Sequence, residues 1–177
     1  QYTPEKGWDE NKLDFFRRHI VQLGRSGLFV VYDELVGKEP VEWNYLLHTV
    51  ELPMEVAEEK DGLRILGKNK ADGVSIAHLF SSQKMTYAQT DTFFVAAVDW
   101  KKRLGKTLSN HYHFTATTAS CSKICFLNVI DVHGNNRADA VINRERNRIT
   151  VEEWVIECNL EGEGLSLIHI SEPTRPI

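Results

Sequence analysis

The stretch 27–53 constrains the fold more than any other part of the sequence, because it contains two long runs of apolar and β-branched residues. The runs are 28–36 and 43–52, and neither has the three-to-four spacing of an amphipathic helix. Gly37-Lys38-Glu39-Pro40 lies between them and favours a chain reversal. Since Pro40 cannot donate a hydrogen bond to a sheet, it is expected in the turn. The stretch therefore predicts a β-hairpin.

The rest of the chain consists of short apolar or alternating runs separated by turns rich in glycine, asparagine and aspartate, about every ten residues. The first run is expected to join the hairpin in a three-stranded meander, and 123–132 is nearly continuous in apolar residues. The pattern predicts an all-β fold, an antiparallel two-layer β-sandwich of many short strands. Further strands are expected at 15–23, 54–59 (an edge), 63–67, 74–80, 112–118, 123–132, 140–143 and 149–158, and 81–108 is expected to be loop with one strand or helical turn.

Composition excludes several classes of partner. The formal net charge of −4 provides no basic field for nucleic acid or for an anionic membrane surface. No apolar run reaches the length that crosses a bilayer. A local basic cluster would still suffice for an acidic ligand, so the overall charge does not exclude a polyanionic sugar.

Both ends of the sequence look artificial. The segment LSLIHISEPTRP at 165–176 resembles the translation of a transposase adapter used in sequencing libraries, so 165–177 is expected to be non-native. The chain begins with Gln1-Tyr2-Thr3-Pro4 and shows no signal peptide. We expect one native β-sandwich domain at 1–164 that belongs to a longer protein.

His111 and His113 form the most metal-like pair in the sequence. At positions i and i+2 of a predicted strand they share one face, with Tyr112 and Phe114 on the other. A zinc site would need a third ligand from another strand. The candidates are His48, Asp99 and Asp131. Because the sequence does not show which of them converges, the pattern favours core-facing aromatics with the histidines on an outer surface or in a groove, and no metal site is predicted.

Three other kinds of residue have structural interpretations. His48 shares its predicted strand face with Leu46, Val50 and Leu52, which favours a hydrogen-bonded core histidine over a catalytic base. Asp33 interrupts an apolar strand and is expected to be a buried, hydrogen-bonded carboxylate. The cysteines have neither zinc-finger nor disulfide-scaffold spacing, and small buried hydrophobes are the preferred interpretation. They are Cys121, Cys125 and Cys158.

Two basic clusters could bind the carboxylates or sulfates of an acidic polysaccharide, because arginine binds such groups in a bidentate manner. One is Lys101, Lys102 and Arg103, and the other is 144–148. Both occur where turns are expected, and a charged turn is usually only solvated.

Four strings carry a resemblance to a known family. VVYDELVGKEP followed by WNYLLHTVELP, and later NHYHFTATTA and CFLNVIDV, resemble strands of the heparinase II/III-like polysaccharide lyases, in the same order. The resemblance extends from about Phe16 to about Leu160. It implies the C-terminal β-sandwich that follows an α-helical toroid in that family, and it implies export to the periplasm or beyond.

The resemblance also implies a reaction, β-elimination on a uronate-containing polysaccharide such as heparin, chondroitin or alginate. The family's catalytic Tyr and His, its His-x-His and Ala-His-Asn motifs and its common zinc belong upstream of this block. His111-Tyr112-His113 follows the block, so the zinc role is not carried over to it. The expectation is a catalytically inactive piece whose partners are the helical domain and an acidic polysaccharide. The substrate-surface candidates are His111, His113, Lys101, Lys102 and Arg103.

Two alternatives come from other functional classes. A non-catalytic carbohydrate-binding sandwich would align exposed aromatic residues on one sheet face, and a purely structural module would bind no glycan. Trp43, Trp100 and Trp154 are the aromatic candidates, but Trp43 and Trp154 occupy strands that are expected to face the core.

Overall fold

The computed structural model describes residues 12–24, 27–92, 111–145, 147–158, 160 and 169–171. Within these ranges every regular element is a β-strand. The strands are β1 (Leu13–Gln22), β2 (Leu28–Val41), β3 (Asn44–Val50), β4 (Glu55–Glu59), β5 (Gly62–Lys68), β6 (Gly73–Ser81), β7 (Met85–Thr90), β8 (His111–Thr118), β9 (Cys121–Gly134), β10 (Ile142–Glu145), β11 (Arg148–Val151), β12 (Trp154–Glu157) and β13 (His169–Ser171).

The strands form three sheets in which neighbouring strands are antiparallel. The largest sheet has the order β1-β2-β9-β6-β5-β4. A three-stranded sheet has the order β3-β8-β7, and a four-stranded sheet has the order β10-β11-β12-β13. Strand β4 lies at an edge of the largest sheet, as predicted for 54–59.

Strand β9 is buried on both of its faces. Leu127 and Val129 pack with residues of the four-stranded sheet, whereas Ile124 and Phe126, on the opposite face, pack with residues of the three-stranded sheet. The large sheet is therefore the middle of three layers. The predicted all-β antiparallel sandwich is confirmed, with three layers where two were expected. A nearly continuous apolar run is typical of a strand with no solvent-facing side.

The two cores share the central sheet and little else. The core on the side of the four-stranded sheet contains Tyr32, Phe80, Leu127, Ile149, Ile156 and Leu160, among others. The core on the side of the three-stranded sheet contains Tyr45, Ile65, Leu79, Phe114, Ile124 and Phe126, among others.

The predicted hairpin of 28–36 and 43–52 is wrong. Strand β2 continues through Gly37 and Pro40 to Val41, with an irregularity in its pairing to β9 between Val36 and Val41. Strand β3 then crosses into another sheet and pairs with β8, so the expected three-stranded meander is absent as well. The irregularity accommodates the proline, whose missing N–H would otherwise interrupt the ladder.

Most other predicted strands are confirmed within a few residues. The expected strand at 149–158 is interrupted by Glu152, whose φ of 56° belongs to a turn, and is divided into β11 and β12. Strand β7 supplies the one strand expected within 81–108, and 93–108 lie outside the described residues. In the tail, His169–Ser171 pairs with β12. That the tail is non-native stays a prediction.

The turn between β1 and β2 requires glycine at position 27, directly before β2. Gly27 has φ +85°, a left-handed conformation that other residues rarely adopt, and a Cβ there would lie 2.2 Å from the carbonyl oxygen of Val132. That contact exists because the Val132 N–H donates to the Gly27 carbonyl at 2.7 Å. The turn is thereby tied to β9.

Two adjacent carboxylates are buried in β2 and neutralised from opposite faces of the sheet. Asp33 is 2% exposed and accepts from Arg18 Nε and Nη2, both at 2.6 Å, which confirms the predicted buried carboxylate. Glu34 is equally buried and lies 2.9 Å from Arg17 Nη2 and 3.1 Å from Lys123 Nζ. A carboxylate in such surroundings is tolerated because it is paired and hydrogen-bonded.

Two of the three cysteines are core residues. Cys125 and Cys158 are buried, as predicted, and Cys121 is half-buried. Burial raises the pKa of the Cys158 thiol from 9.0 to about 12, an effect that outweighs the opposing influence of Arg144. The thiol therefore stays neutral and acts as a small apolar side chain.

Replacement of Arg18 should destabilise the fold, because burial of the unpaired Asp33 carboxylate is unfavourable. We expect Arg18→Met to lower the free energy of unfolding by about 3 kcal/mol, because Asp33 remains buried without its cation. Urea denaturation measures this change. Lys68→Met, which breaks the exposed pair with Glu55, serves as the control and should cost less than about 1 kcal/mol. Equal losses in both variants would contradict the assignment.

The Cys158 thiol should make stability depend on alkaline pH. Because the pKa is higher in the folded state, its contribution is fully present below pH 9.0 and is lost as the pH rises toward about 12. Between pH 8 and pH 10 the wild-type chain should lose about 1.4 kcal/mol more of its unfolding free energy than Cys158→Ala. Urea denaturation at both pH values measures this difference. Parallel losses in the two proteins would refute the proposed origin of the shift.

Candidate functional site

Three histidines lie on the outer face of the three-stranded sheet, which we call the histidine face (His48, His111 and His113). Strands β3 and β8 place His48 directly opposite His113 and Val50 opposite His111. The rings of His48 and His113 are 4.6 Å apart between centroids, with their planes at 77°. His48 and His111 are exposed, and His113 is half-buried.

The packing of the two strands forces these histidines outward. Tyr45 in β3, together with Phe114 and Ala116 in β8, is buried against the central sheet. Since successive side chains of a strand point to opposite faces, the histidines at even positions of β3 and odd positions of β8 point away from the core. The predicted arrangement of His111 and His113 opposite the aromatic residues is confirmed.

The prediction for His48 is wrong, because this residue is exposed and not a hydrogen-bonded core histidine. Leu46, on the same face of β3, is 56% exposed. Both faces of β3 contain apolar residues, so its sequence does not indicate which side is buried. The choice is made by the pairing with β8, where Phe114 and Ala116 are inward.

Hydroxyl groups extend the histidine face across the sheet. Thr90 of β7 pairs with His113, and Thr115 of β8 pairs with Leu46 on one side and Ala88 on the other. Imidazole and hydroxyl groups both donate hydrogen bonds. The arrangement is suited to binding an anionic, hydroxyl-rich molecule.

The residues of this face do not fit a zinc site. Among the described residues, no group of three or more His, Cys, Asp and Glu side chains could hold a metal ion. Asp131 lies on the β9 face that packs toward the four-stranded sheet, where its carboxylate accepts from Arg137 Nη2 at 2.7 Å and from the Ala140 N–H at 2.8 Å. It cannot converge with His113, and Asp99 lies outside the described residues.

Of the two basic clusters, only part is described. Lys101, Lys102 and Arg103 lie outside the described residues, so their role as substrate-surface candidates stays a prediction. Arg144 has a structural role, since its guanidinium carbon lies 5.0 Å from the Phe80 ring centroid and its Nη1 donates to the Asp61 carbonyl at 2.8 Å.

The tryptophans follow the core-facing expectation. Trp43 and Trp154 are partly buried and pack against different cores, and Trp43 Nε1 donates to the Cys121 carbonyl at 2.9 Å. Trp100 lies outside the described residues. The two described tryptophans therefore do not align on one sheet face. In the described part of the chain, no helix has the length and apolar character needed to cross a membrane.

Comparisons with known proteins give matches among solved structures. No protein-family model matches the chain, and no curated protein matches it. Two structures of a heparinase III gene product are similar, one of them with methylated lysines. The structure with methylated lysines is 14% identical to this chain and covers 94% of it, with a TM-score of 0.49. The other structure is 12% identical and covers 90% of this chain, with a TM-score of 0.45. The chain spans about a quarter of their length, 24% and 26% respectively.

The orientation of β8 can be checked by two neighbouring substitutions. Phe114→Ala should lower the free energy of unfolding by about 3–5 kcal/mol, because it leaves a cavity in the core. His113→Ala, one residue away on the outer face, should cost about 1 kcal/mol or less. Urea denaturation of both variants decides the matter, and a larger loss for His113→Ala would mean that the strand faces the other way.

Proposed function

We propose that this chain is the β-sandwich portion of a polysaccharide lyase of the heparinase II/III-like class, acting on an acidic, uronate-containing polysaccharide. The observation that carries the proposal is the pairing of the four family-like strings. The first two strings lie far from the last two in the sequence, yet they pair with them, as β2 with β9 and β3 with β8. The second of these pairs creates the histidine face.

In the reaction proposed for the parent protein, a base removes the proton at C5 of a uronic acid. The carboxylate charge is neutralised, and the glycosidic oxygen then leaves from C4. We assign none of these steps to the described residues, and the proton-transferring groups and any zinc are proposed to belong to a helical part of the parent. The proposed location of the parent is the periplasm or the extracellular space.

The role proposed for the sandwich is to form one wall of the substrate cleft. The histidine face supports this role, because the exposed imidazoles of His48 and His111 are hydrogen-bond donors that can pair with carboxylate or sulfate groups. Such contacts would hold the polyanion without taking part in bond cleavage. The basic residues Lys101, Lys102 and Arg103, which precede β8 in the sequence, are also proposed to bind the polyanion.

Binding of acidic oligosaccharides tests the proposal. Calorimetric titration with uronate oligosaccharides from heparin, chondroitin and alginate should detect binding to this chain. The double variant His48→Ala/His111→Ala, which removes the two exposed imidazoles, should weaken it at least tenfold. His19→Ala, on β1 in the central sheet, is the matched control and should have no effect.

Three results would count against the proposal. Absence of binding would favour a structural module. Binding of equal affinity in the wild-type chain and the double histidine variant would show that the histidine face is not part of the substrate surface. Unsaturated uronate products are detected by their ultraviolet absorbance. If this chain alone forms them, catalysis resides here, which would contradict the assignment of the chemistry to another part of the parent.

A further inference from the structure

A cleft of about 370 Å³ opens beside β3, at the edge of the three-stranded sheet. Strands β1 and β2 of the central sheet form its other side, and Phe126 of β9 contributes to its base. Its volume lies in the lower part of the range, roughly 300–1,000 Å³, that accommodates small ligands. No feature of the sequence singled it out, because its walls come from four separate strands.

The polar part of the cleft is the Arg18–Asp33 pair. Asp33 is 2% exposed and held by two hydrogen bonds of 2.6 Å, whereas the Arg18 side chain is 47% exposed. The guanidinium thus reaches the opening while the carboxylate lies behind it. Arg18 uses Nε and Nη2 for Asp33, and its remaining N–H groups can donate to a ligand.

The apolar part is built from aromatic rings, most of which are held in place. Trp43 is fixed by its bond to the Cys121 carbonyl, and the Tyr45 hydroxyl accepts from Asn128 Nδ2 at 3.1 Å. Phe16, in contrast, is 50% exposed at the rim, with the Arg18 guanidinium carbon 5.7 Å from its ring centroid. A ligand would therefore meet an open ring beside a preorganised polar pair.

The charges in the cleft cancel. Arg18 and Asp33 are the only charged side chains among the described residues that line it. Burial raises the pKa of Tyr45, so this phenol stays neutral. An anionic ligand at Arg18 would also lie close to the Asp33 carboxylate, and burying an unmatched charge is costly. The cleft therefore favours an uncharged ligand that both donates and accepts hydrogen bonds.

We propose that this cleft binds an uncharged pyranose ring, with the apolar face of the sugar on Phe16 and its hydroxyls on the Arg18–Asp33 pair and the Asn44 amide. This would be a second carbohydrate site whose chemistry goes beyond the proposed lyase function. It also borders the histidine face, because Leu46 lines the cleft and His48 follows two residues later on the same face of β3.

A matched pair of ligands tests the charge argument. An unsulfated uronate oligosaccharide from alginate and the same oligosaccharide with its carboxylates reduced to primary alcohols, which is uncharged, are titrated separately into the ¹⁵N-labelled chain. Nuclear magnetic resonance should show that the reduced form shifts the signals of Phe16, Arg18 and Asn44. The native form should bind at the histidine face, and it should bind in the cleft at least fivefold more weakly than the reduced form does.

Two variants on one strand test the position. Phe16→Ala should weaken binding of the reduced oligosaccharide at least tenfold, and Ile20→Ala, exposed on the same face of β1 but outside the cleft, should leave it unchanged. Both side chains are largely exposed, so both variants should keep the fold.

The outcomes separate this inference from the proposed function. Absence of shifts in the cleft, equal binding of both oligosaccharides there, or equal affinities of the two variants would each overturn the inference. If the native form shows no binding that depends on the histidines, the result counts against the lyase proposal and does not bear on the proposal for the cleft.

Discussion

The alternation of side chains along β9 is the constraint on which the rest of the structure depends. This strand lies between β2 and β6 and contributes to a core on each of its faces. A strand in that position has no side available for polar residues without partners. Each smaller sheet can therefore pack only by covering one face of β9 and its neighbours, and the three-layer arrangement follows from this requirement.

Burial on both faces explains where the charged residues of the central sheet occur. Asp33 and Glu34 lie next to each other in β2, so they point to opposite faces, and each receives its cation from the edge strand β1. Glu34 is also paired with Lys123 of β9. On the face of Glu34, the cations only neutralise the buried carboxylate. On the face of Asp33, the half-exposed guanidinium of Arg18 lies beside aromatic rings, and a cleft without net charge results.

The histidine face arises from register and not from local sequence. His48 and His113 are 65 positions apart in the sequence, and they meet because β3 pairs with β8 in the register that places Phe114 opposite Leu47. A shift of one residue would turn every side chain of β3 to the other face. The buried aromatic residues that specify the core thereby also specify the outer surface.

The sequence by itself determined the class of the fold, most strand positions, the buried Asp33, the core cysteines at 125 and 158, and the outward direction of His111 and His113. These follow from local periodicity, since a strand with one strongly apolar face must bury it. The tertiary structure alone decided that β2 and β3 separate into different sheets, that His48 is exposed, and that a cleft forms beside β3. Each of these depends on which distant strand supplies the hydrogen bonds and the covering layer, and a run that is apolar on both faces carries no signal for that choice.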